Sequence, residues 1–241
     1  MRRLLLALAL ASGATQASAF DADFDLSCAD PVSCQSDFRS VAEDITAALN
    51  YKALGPSEAT GITGIGIGAF ATYVEVDDPG AWDRLAGEDV DAIGMAGVVA
   101  RKGLPFGIDL GAFYATVPGA DADLYGGEVR WAILEGGVAE PALAVRGTYT
   151  RSSGIDSLDY EAMGLDVSVS KGFAFLTPYA GYGYVWSELD PKGVTGLDKE
   201  EVDASRFFAG LRFGLLIFDI TPEYERIKGR DSFNLLLGAS F

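Results

Sequence analysis

After its first sixty residues the chain settles into a two-residue rhythm that runs to its last position. From Gly61 to Val76, Ile65, Ile67, Ala69, Ala71 and Tyr73 alternate with Gly64, Gly66, Gly68 and Phe70. Phe106, Ile108, Leu110, Ala112 and Tyr114 alternate in the same way with Gly107, Asp109, Gly111 and Phe113, and Val129, Trp131 and Ile133 with Glu128, Arg130 and Ala132. Leu143, Val145 and Tyr149 stand against Ala144, Arg146 and Thr148, and Leu165, Val167 and Val169 against Gly164, Asp166 and Ser168. Successive side chains of a strand point to opposite faces, so each segment has one greasy face and one small or polar face.

Ten strands are predicted. The second, 92–101, and the seventh, 173–186, leave their register open. The eighth sets Phe207, Ala209, Leu211 and Phe213 against Arg206, Phe208, Gly210 and Arg212, and the ninth sets Phe218, Ile220 and Tyr224 against Asp219, Thr221 and Glu223. Pro222 weakens the ninth, because proline belongs at strand ends or bulges. The last sets Phe233, Leu235, Leu237, Ala239 and Phe241 against Asn234, Leu236, Gly238 and Ser240. Odd-numbered connections read as longer or more polar (77–90, 118–123, 151–159, 187–204, 226–231), and even ones as tight, around Lys102-Gly103, 135–140, Lys171-Gly172 and Gly214-Leu215. Segments of about ten residues with alternating long loops and short turns are the signature of a transmembrane antiparallel up-and-down β-barrel with both termini in the periplasm. A soluble β-sandwich or lipocalin-like barrel is the rival, but its solvent face would carry more charge than these Gly-, Ala- and Ser-rich faces do.

The residues before the strands carry a different period. Phe38, Val41, Ile45 and Leu49 recur at helical spacing within 36–53, with Ser36 or Asp37 as N-cap. The helix's apolar face must bury somewhere, and the glycines at 64, 66 and 68 offer room, so the helix is expected as a plug in or against the periplasmic mouth. Arg2 and Arg3, the apolar run Leu4 to Ala11 and Ala17-Ser18-Ala19 read as a signal peptide cleaved after Ala19. The expected domains are therefore a leader, 1–19, an N-terminal segment, 20–60, and the barrel, 61–241, placed in the cell outer membrane. Cys28 lies too far beyond the apolar run for a lipoprotein anchor.

Export places Cys28 and Cys34, the only two cysteines, in an oxidising compartment where a small disulfide loop is the simplest pairing. Two thiolates without any histidine fall short of a zinc shell. Loss of the leader removes two positive charges and no acids, so a net charge of −17 becomes −19, which argues against a nucleic-acid partner. The absence of histidine removes the general base that Ser-His and Asp-His chemistry requires. No spacing singles out a glycosidase-like carboxylate pair, so neither an enzyme activity nor a cofactor is expected. Gly64 to Ala69 matches a dinucleotide loop only by chance, since it continues as a strand instead of opening a helix.

The candidate functional residues are the charges assigned to the lumen face: Asp109, Glu128, Arg130, Arg146, Asp166, Arg206, Arg212, Asp219 and Glu223. In a barrel only slightly wider than the eight-stranded size that side chains fill, they are expected to pair across the interior. The loop acids Asp77, Asp78, Asp83, Glu88, Asp89, Glu188, Asp190, Asp198, Glu200, Glu201 and Asp203 read as solvated, without the spacing of a calcium loop.

The terminal Phe241, with apolar residues at alternate positions before it, resembles the C-terminal assembly signal of bacterial outer-membrane proteins. That resemblance implies outer-membrane lipid and lipopolysaccharide as surroundings and the barrel-assembly machinery as a partner during biogenesis. The helix followed by a Gly-rich first strand is loosely similar, with fewer strands, to the plugged fatty-acid-uptake barrels, which implies a gated apolar ligand. The function expected from the sequence is structural or passive small-solute transport through a narrow or plugged lumen. The alternatives are a hydrophobic-ligand transporter and a surface-interaction protein acting through its loops. Deleting Phe241 should lower the amount of folded, heat-modifiable protein in the outer-membrane fraction; equal amounts with and without it would remove the assembly role.

Overall fold

A computed structural model describes residues 26–28, 33–87, 90–120, 122–137, 140–155 and 157–241. The expected leader, its cleavage site and the loop acids Glu88 and Asp89 lie outside the described residues. Ten antiparallel strands close into one barrel, each paired with its sequence neighbour and the last paired with the first. They are β1 (Ile65–Glu75), β2 (Ala92–Leu104), β3 (Ile108–Thr116), β4 (Asp123–Glu135), β5 (Ala142–Ser153), β6 (Leu158–Ser170), β7 (Leu176–Pro191), β8 (Glu200–Leu215), β9 (Phe218–Ile227) and β10 (Arg230–Ser240). Closure leaves no exposed sheet edge, and Phe241 completes the seam by exchanging backbone hydrogen bonds with Ile65.

Several boundaries differ from the periodic reading. Lys102 and Gly103 belong to β2, and the turn lies at Pro105–Gly107. The β8 to β9 turn falls at residues 216 and 217 instead of Gly214-Leu215. The expected loop 187–204 shrinks to 192–199, because β7 and β8 run on with the acids at 188, 190, 201 and 203 outward. Pro222 sits inside β9, where the ladder to β8 skips it, as a residue without an N–H requires. The loop expected at 77–90 holds a helix, Pro79–Ala86, started by Asp78, whose carboxylate accepts from Ala81 N, and ended by Gly87 in the left-handed region.

Polarity along the wall reverses partway up. On β6, Met163, Leu165, Val167 and Val169 face outward and are exposed, while Asp166 between them is buried. Toward the loop end of the same strand the sense inverts: Leu158 and Tyr160 point inward, and Asp159 and Glu161 outward. β8 and β9 repeat the reversal, with Val202 and Ile227 buried and Glu201, Asp203 and Arg226 outward. The lower part is thus a membrane barrel with an apolar exterior, and the upper part is built like a soluble one. No helix among the described residues is long and apolar enough to cross a membrane.

The N-terminal helix α1 (Cys34–Leu49) lies inside the upper part. It starts two residues earlier and ends four residues earlier than its period suggested. Phe38, Val41, Ile45 and Leu49 are all buried, and they share one core with Trp82 and Leu85 of the loop helix and with Met95, Leu124, Tyr160 and Leu189 of the wall. The expected position at the mouth beside Gly64, Gly66 and Gly68 is therefore corrected. α1 enters from the loop end, where Gln35 bonds to Asp198 and Glu200, and it descends to mid-barrel. The apolar face follows the apolar wall, which exists only above the reversal. Of the three glycines, Gly64 is crowded by the Thr60 backbone, Gly68 by β10, and Gly66 lines a small cavity.

Cysteines placed at Thr46 and Ser187, whose hydroxyls now lie 2.7 Å apart, should form a crosslink in the folded protein, whereas a pair at Ile45 and Gly66 should not. The reverse result would return the helix to the other end of the barrel.

Candidate functional site

Below α1 the chain continues in an extended, irregular path from Asn50 to Thr60 down the lower lumen. A helix satisfies its own backbone, but an extended segment brings unpaired carbonyls and amides into a confined space where leaving them unmade costs free energy. The wall supplies their partners. Arg206 on β8 donates to Tyr51 O at 2.7 Å, Arg146 on β5 to Lys52 O at 3.2 Å, and Arg101 on β2 to Ala53 O and Leu54 O, both at 2.9 Å. Arg130 on β4 donates to Pro56 O at 2.7 Å. Amides are met as well: Leu54 N donates to Glu223 at 2.8 Å, Ser57 N to Ser170 Oγ at 3.0 Å, and Thr60 N to Asp109 at 3.0 Å.

Each of these arginines is balanced by a carboxylate on the wall. Arg130 bonds to Asp109, its cross-strand partner, and Arg146 to Asp166, likewise directly opposite. Arg101 meets Glu128 at 2.6 Å, and Arg206 grips Asp166 with a second contact to Glu225 at 3.6 Å. The last two pairs span an intervening strand, which is possible because that strand carries glycine at the crossing. Gly111 of β3 is paired in register with both Arg101 and Glu128, and a Cβ there would meet the Glu128 side chain at 2.7 Å. Gly183 of β7 stands likewise between Asp166 and Arg206, where a Cβ would meet Asp166 Oδ1 at 2.5 Å.

The sequence candidates Asp109, Glu128, Arg130, Arg146, Asp166, Arg206, Asp219 and Glu223 are all buried in the lumen. Arg212 is part-exposed, 3.5 Å from Asp219 and 3.3 Å from Ser240 Oγ. Pairing runs along the wall and through the N-terminal segment, and not across the interior as expected, because the segment occupies the axis. Three members of the network escaped the sequence reading. Arg101 stood on the strand of open register, and Glu225 continues the inward period two residues past Glu223. Lys52, whose ammonium bonds to Glu225 at 2.6 Å and to Ala47 O, lies in a stretch without any period. Burial lowers the Lys52 ammonium below the ordinary lysine value, against the pull of Glu225. Tyr51 packs edge-on against Phe113 at 5.0 Å, and Phe208 sits under the guanidinium groups of Arg146 and Arg206, each 5.6 Å from its centroid.

The loop end is also tied together. The Cys28–Cys34 disulfide closes the small loop where α1 begins. Arg84 of the loop helix forks onto Asp37 with two 2.8 Å bonds, and that hydrogen bonding holds the Asp37 carboxyl below the usual carboxylate range. Asp44 accepts from Trp82 Nε1 at 3.0 Å and pairs with Arg230, though burial still raises its carboxyl above the ordinary value. A cavity of about 180 Å³ remains at the turn end, lined by Gly66, Arg101, Arg130, Arg212, Asp219 and Ser240 among others. No group of three or more candidate ligands among the described residues is arranged to hold a metal ion.

No protein-family model matches the chain, and no curated protein matches it. Among solved structures it is similar to the translocator domain of autotransporter NalP from Neisseria meningitidis, at 11% identity and a TM-score of 0.43, over 90% of this chain and 98% of that one. It is also similar to the outer membrane protease OmpT from Escherichia coli, at 10% identity and a TM-score of 0.40, covering 73% and 94%. A third is Ail, the attachment invasion locus protein of Yersinia pestis, at 14% and 0.34, covering 74% and 97%. Identities and scores this low leave the function of this chain to its own side chains.

Gly183→Val should push Asp166 and Arg206 apart and act as the loss of a buried ion pair, which costs about 3–5 kcal/mol. The compact, unheated gel band should then convert to the extended form at a clearly lower temperature than in wild type. An unchanged transition would show that the spanning pair carries no stability.

Proposed function

We propose that this outer-membrane barrel is a sealed structural protein whose lumen is closed by its own N-terminal segment. The observation that carries the reading is the run of carbonyls from Tyr51 to Pro56, almost all of them held by arginines from four different strands. A segment anchored on so many sides, with its charges locally neutralised, leaves the lower lumen no continuous aqueous path. Passive solute flow would require the segment to leave, and its departure would strand buried arginines and carboxylates at several kcal/mol each. Outer-membrane lipid and lipopolysaccharide surround the apolar band, and the barrel-assembly machinery is the partner during insertion. This reading includes no catalytic step.

A second reading is favoured by the loop end. There the start of α1, with its Cys34 in the disulfide, is joined through Asp37, Gln35 and Asp44 to the helix Pro79–Ala86 and the β7 to β8 connection in one platform. Such a platform suits a surface-interaction role, with the loops presented outside the cell. The hydrophobic-ligand alternative gains nothing from α1, whose apolar face is already consumed by the core.

Purified full-length protein in planar bilayers should show no steady conductance, and Arg101→Ala combined with Arg130→Ala, which frees the carbonyls at 53, 54 and 56, should open a leak. Steady wild-type conductance, with the double substitution altering only ion selectivity, would replace the sealed reading with a pore.

A further inference from the structure

The turn end carries large apolar residues at the very tips of its hairpins. Leu216 is fully exposed at φ 58°, and Phe106 is 88% exposed at φ 67°. Ala174, at φ 52°, is flanked by the exposed Phe173 and Phe175. The left-handed region suits glycine or asparagine, and a bulky side chain there is an uncommon, strained choice. Tight turns in water would gain from Gly or Asn on both counts, yet three separate turns at one end hold hydrophobic or aliphatic residues instead. Ile217 and Phe218 extend the same exposed surface.

The reversal of polarity along the wall gives a reason. It sets the outer limit of the lipid-facing band at Glu161, Arg226 and Arg151, the first outward charges met on their strands. Below those charges the outward apolar residues run only from Met163 to Val169 on β6, from Tyr224 to Phe218 on β9, and from Tyr149 to Leu143 on β5. At about 3.3 Å rise per residue and about 40° of tilt, each stretch spans roughly 15 Å along the membrane normal, against roughly 25 Å for the apolar band of an outer-membrane barrel. On these three strands the apolar run alone is too short, and the missing depth lies on the turn side.

We propose that the turn tips at Phe106, 173–175 and 215–218 are immersed in the inner lipid leaflet, as a membrane-seating surface continuous with the apolar band. The occupant is lipid, at the boundary between headgroups and acyl chains, because the outward apolar run of β8 leads through Leu211, Phe213 and Leu215 directly into the tip at 216–218, while Lys102 and Lys171, beside the other two tips, stand where their ammonium groups reach the headgroups. Immersion removes the cost of exposing Leu216 and Phe106 to water and supplies the depth that β6 and β9 lack. It also brings the mouth of the 180 Å³ cavity, with Arg212 beside it, down to the level of the headgroups. The short turns of such barrels face the periplasm, so the leaflet is the inner one.

Nitroxide labels on Leu216→Cys and on Phe106→Cys, in the full chain reconstituted in phosphatidylethanolamine and phosphatidylglycerol vesicles, test this directly. Both native cysteines are locked in a disulfide and take no label without reductant. Collision with dissolved oxygen should exceed collision with a water-soluble nickel chelate at both tips, and the order should reverse at Gly193→Cys on the opposite, exposed loop. Chelate-dominated relaxation at 216 and 106 would place the tips in water and overturn the proposal. Low collision with both reagents, together with spin–spin broadening, would assign the tips to a contact between two copies and overturn it equally. Because single-site labels at exposed tips leave the lumen network untouched, a failure here is distinguishable from a failure of the sealed-lumen reading, which is read by conductance.

Discussion

Everything in the lower barrel depends on how an extended stretch of backbone is accommodated inside a closed cylinder. Helix α1 brings its hydrogen bonds with it and asks the wall only for apolar surface. The segment that follows has no such internal pairing, so its carbonyls at 51 to 54 and 56 must be met by donors that reach inward from the strands. Arginine suits the task because its planar fork can hold a carbonyl with one nitrogen and a carboxylate with another. Arg146 and Arg206 do so with Lys52 O and Tyr51 O on one side and Asp166 on the other.

Further features follow from that requirement. Arginines buried at this depth demand counter-charges, which explains why acids stand on neighbouring or next-nearest strands at the same height. Where the counter-charge sits two strands away, the intermediate strand must vacate its inward position, and Gly111 and Gly183 do this. The glycine-rich lumen face is therefore part of the electrostatic design, and much of the free volume expected there is filled by neighbouring charged side chains. The division of the lumen into an apolar upper half and a charged lower half reproduces, on the wall, the change from helix to extended chain in the segment it encloses.

The exterior carries the complementary pattern. Where the inside is apolar, outward positions hold Glu161, Glu188, Asp203 and Arg226; where the inside is charged, they hold Leu165, Val167 and Phe207. One strand thus crosses two environments and exchanges the roles of its faces without changing its period. This reversal is why the acids of the upper strands read as loops in the sequence: an outward charge next to an inward Leu or Val keeps the alternation, but in the opposite sense to the residues below.

The amino-acid sequence alone determined the strand count, the closed antiparallel class and the lipid-facing side of nearly every strand. A period of two acting on strongly contrasting residues such as Val167 and Asp166 admits only one assignment of faces. It also marked eight of the inward charges now seen buried and the apolar face of α1, since each follows from local spacing. Only the tertiary structure decided where α1 lies, which carbonyls the arginines hold, and that Lys52, Arg101 and Glu225 belong to the same network. Those contacts join residues tens to more than a hundred positions apart, around a segment with no periodicity of its own, and nothing in the local pattern encodes which height of the lumen an extended chain will reach.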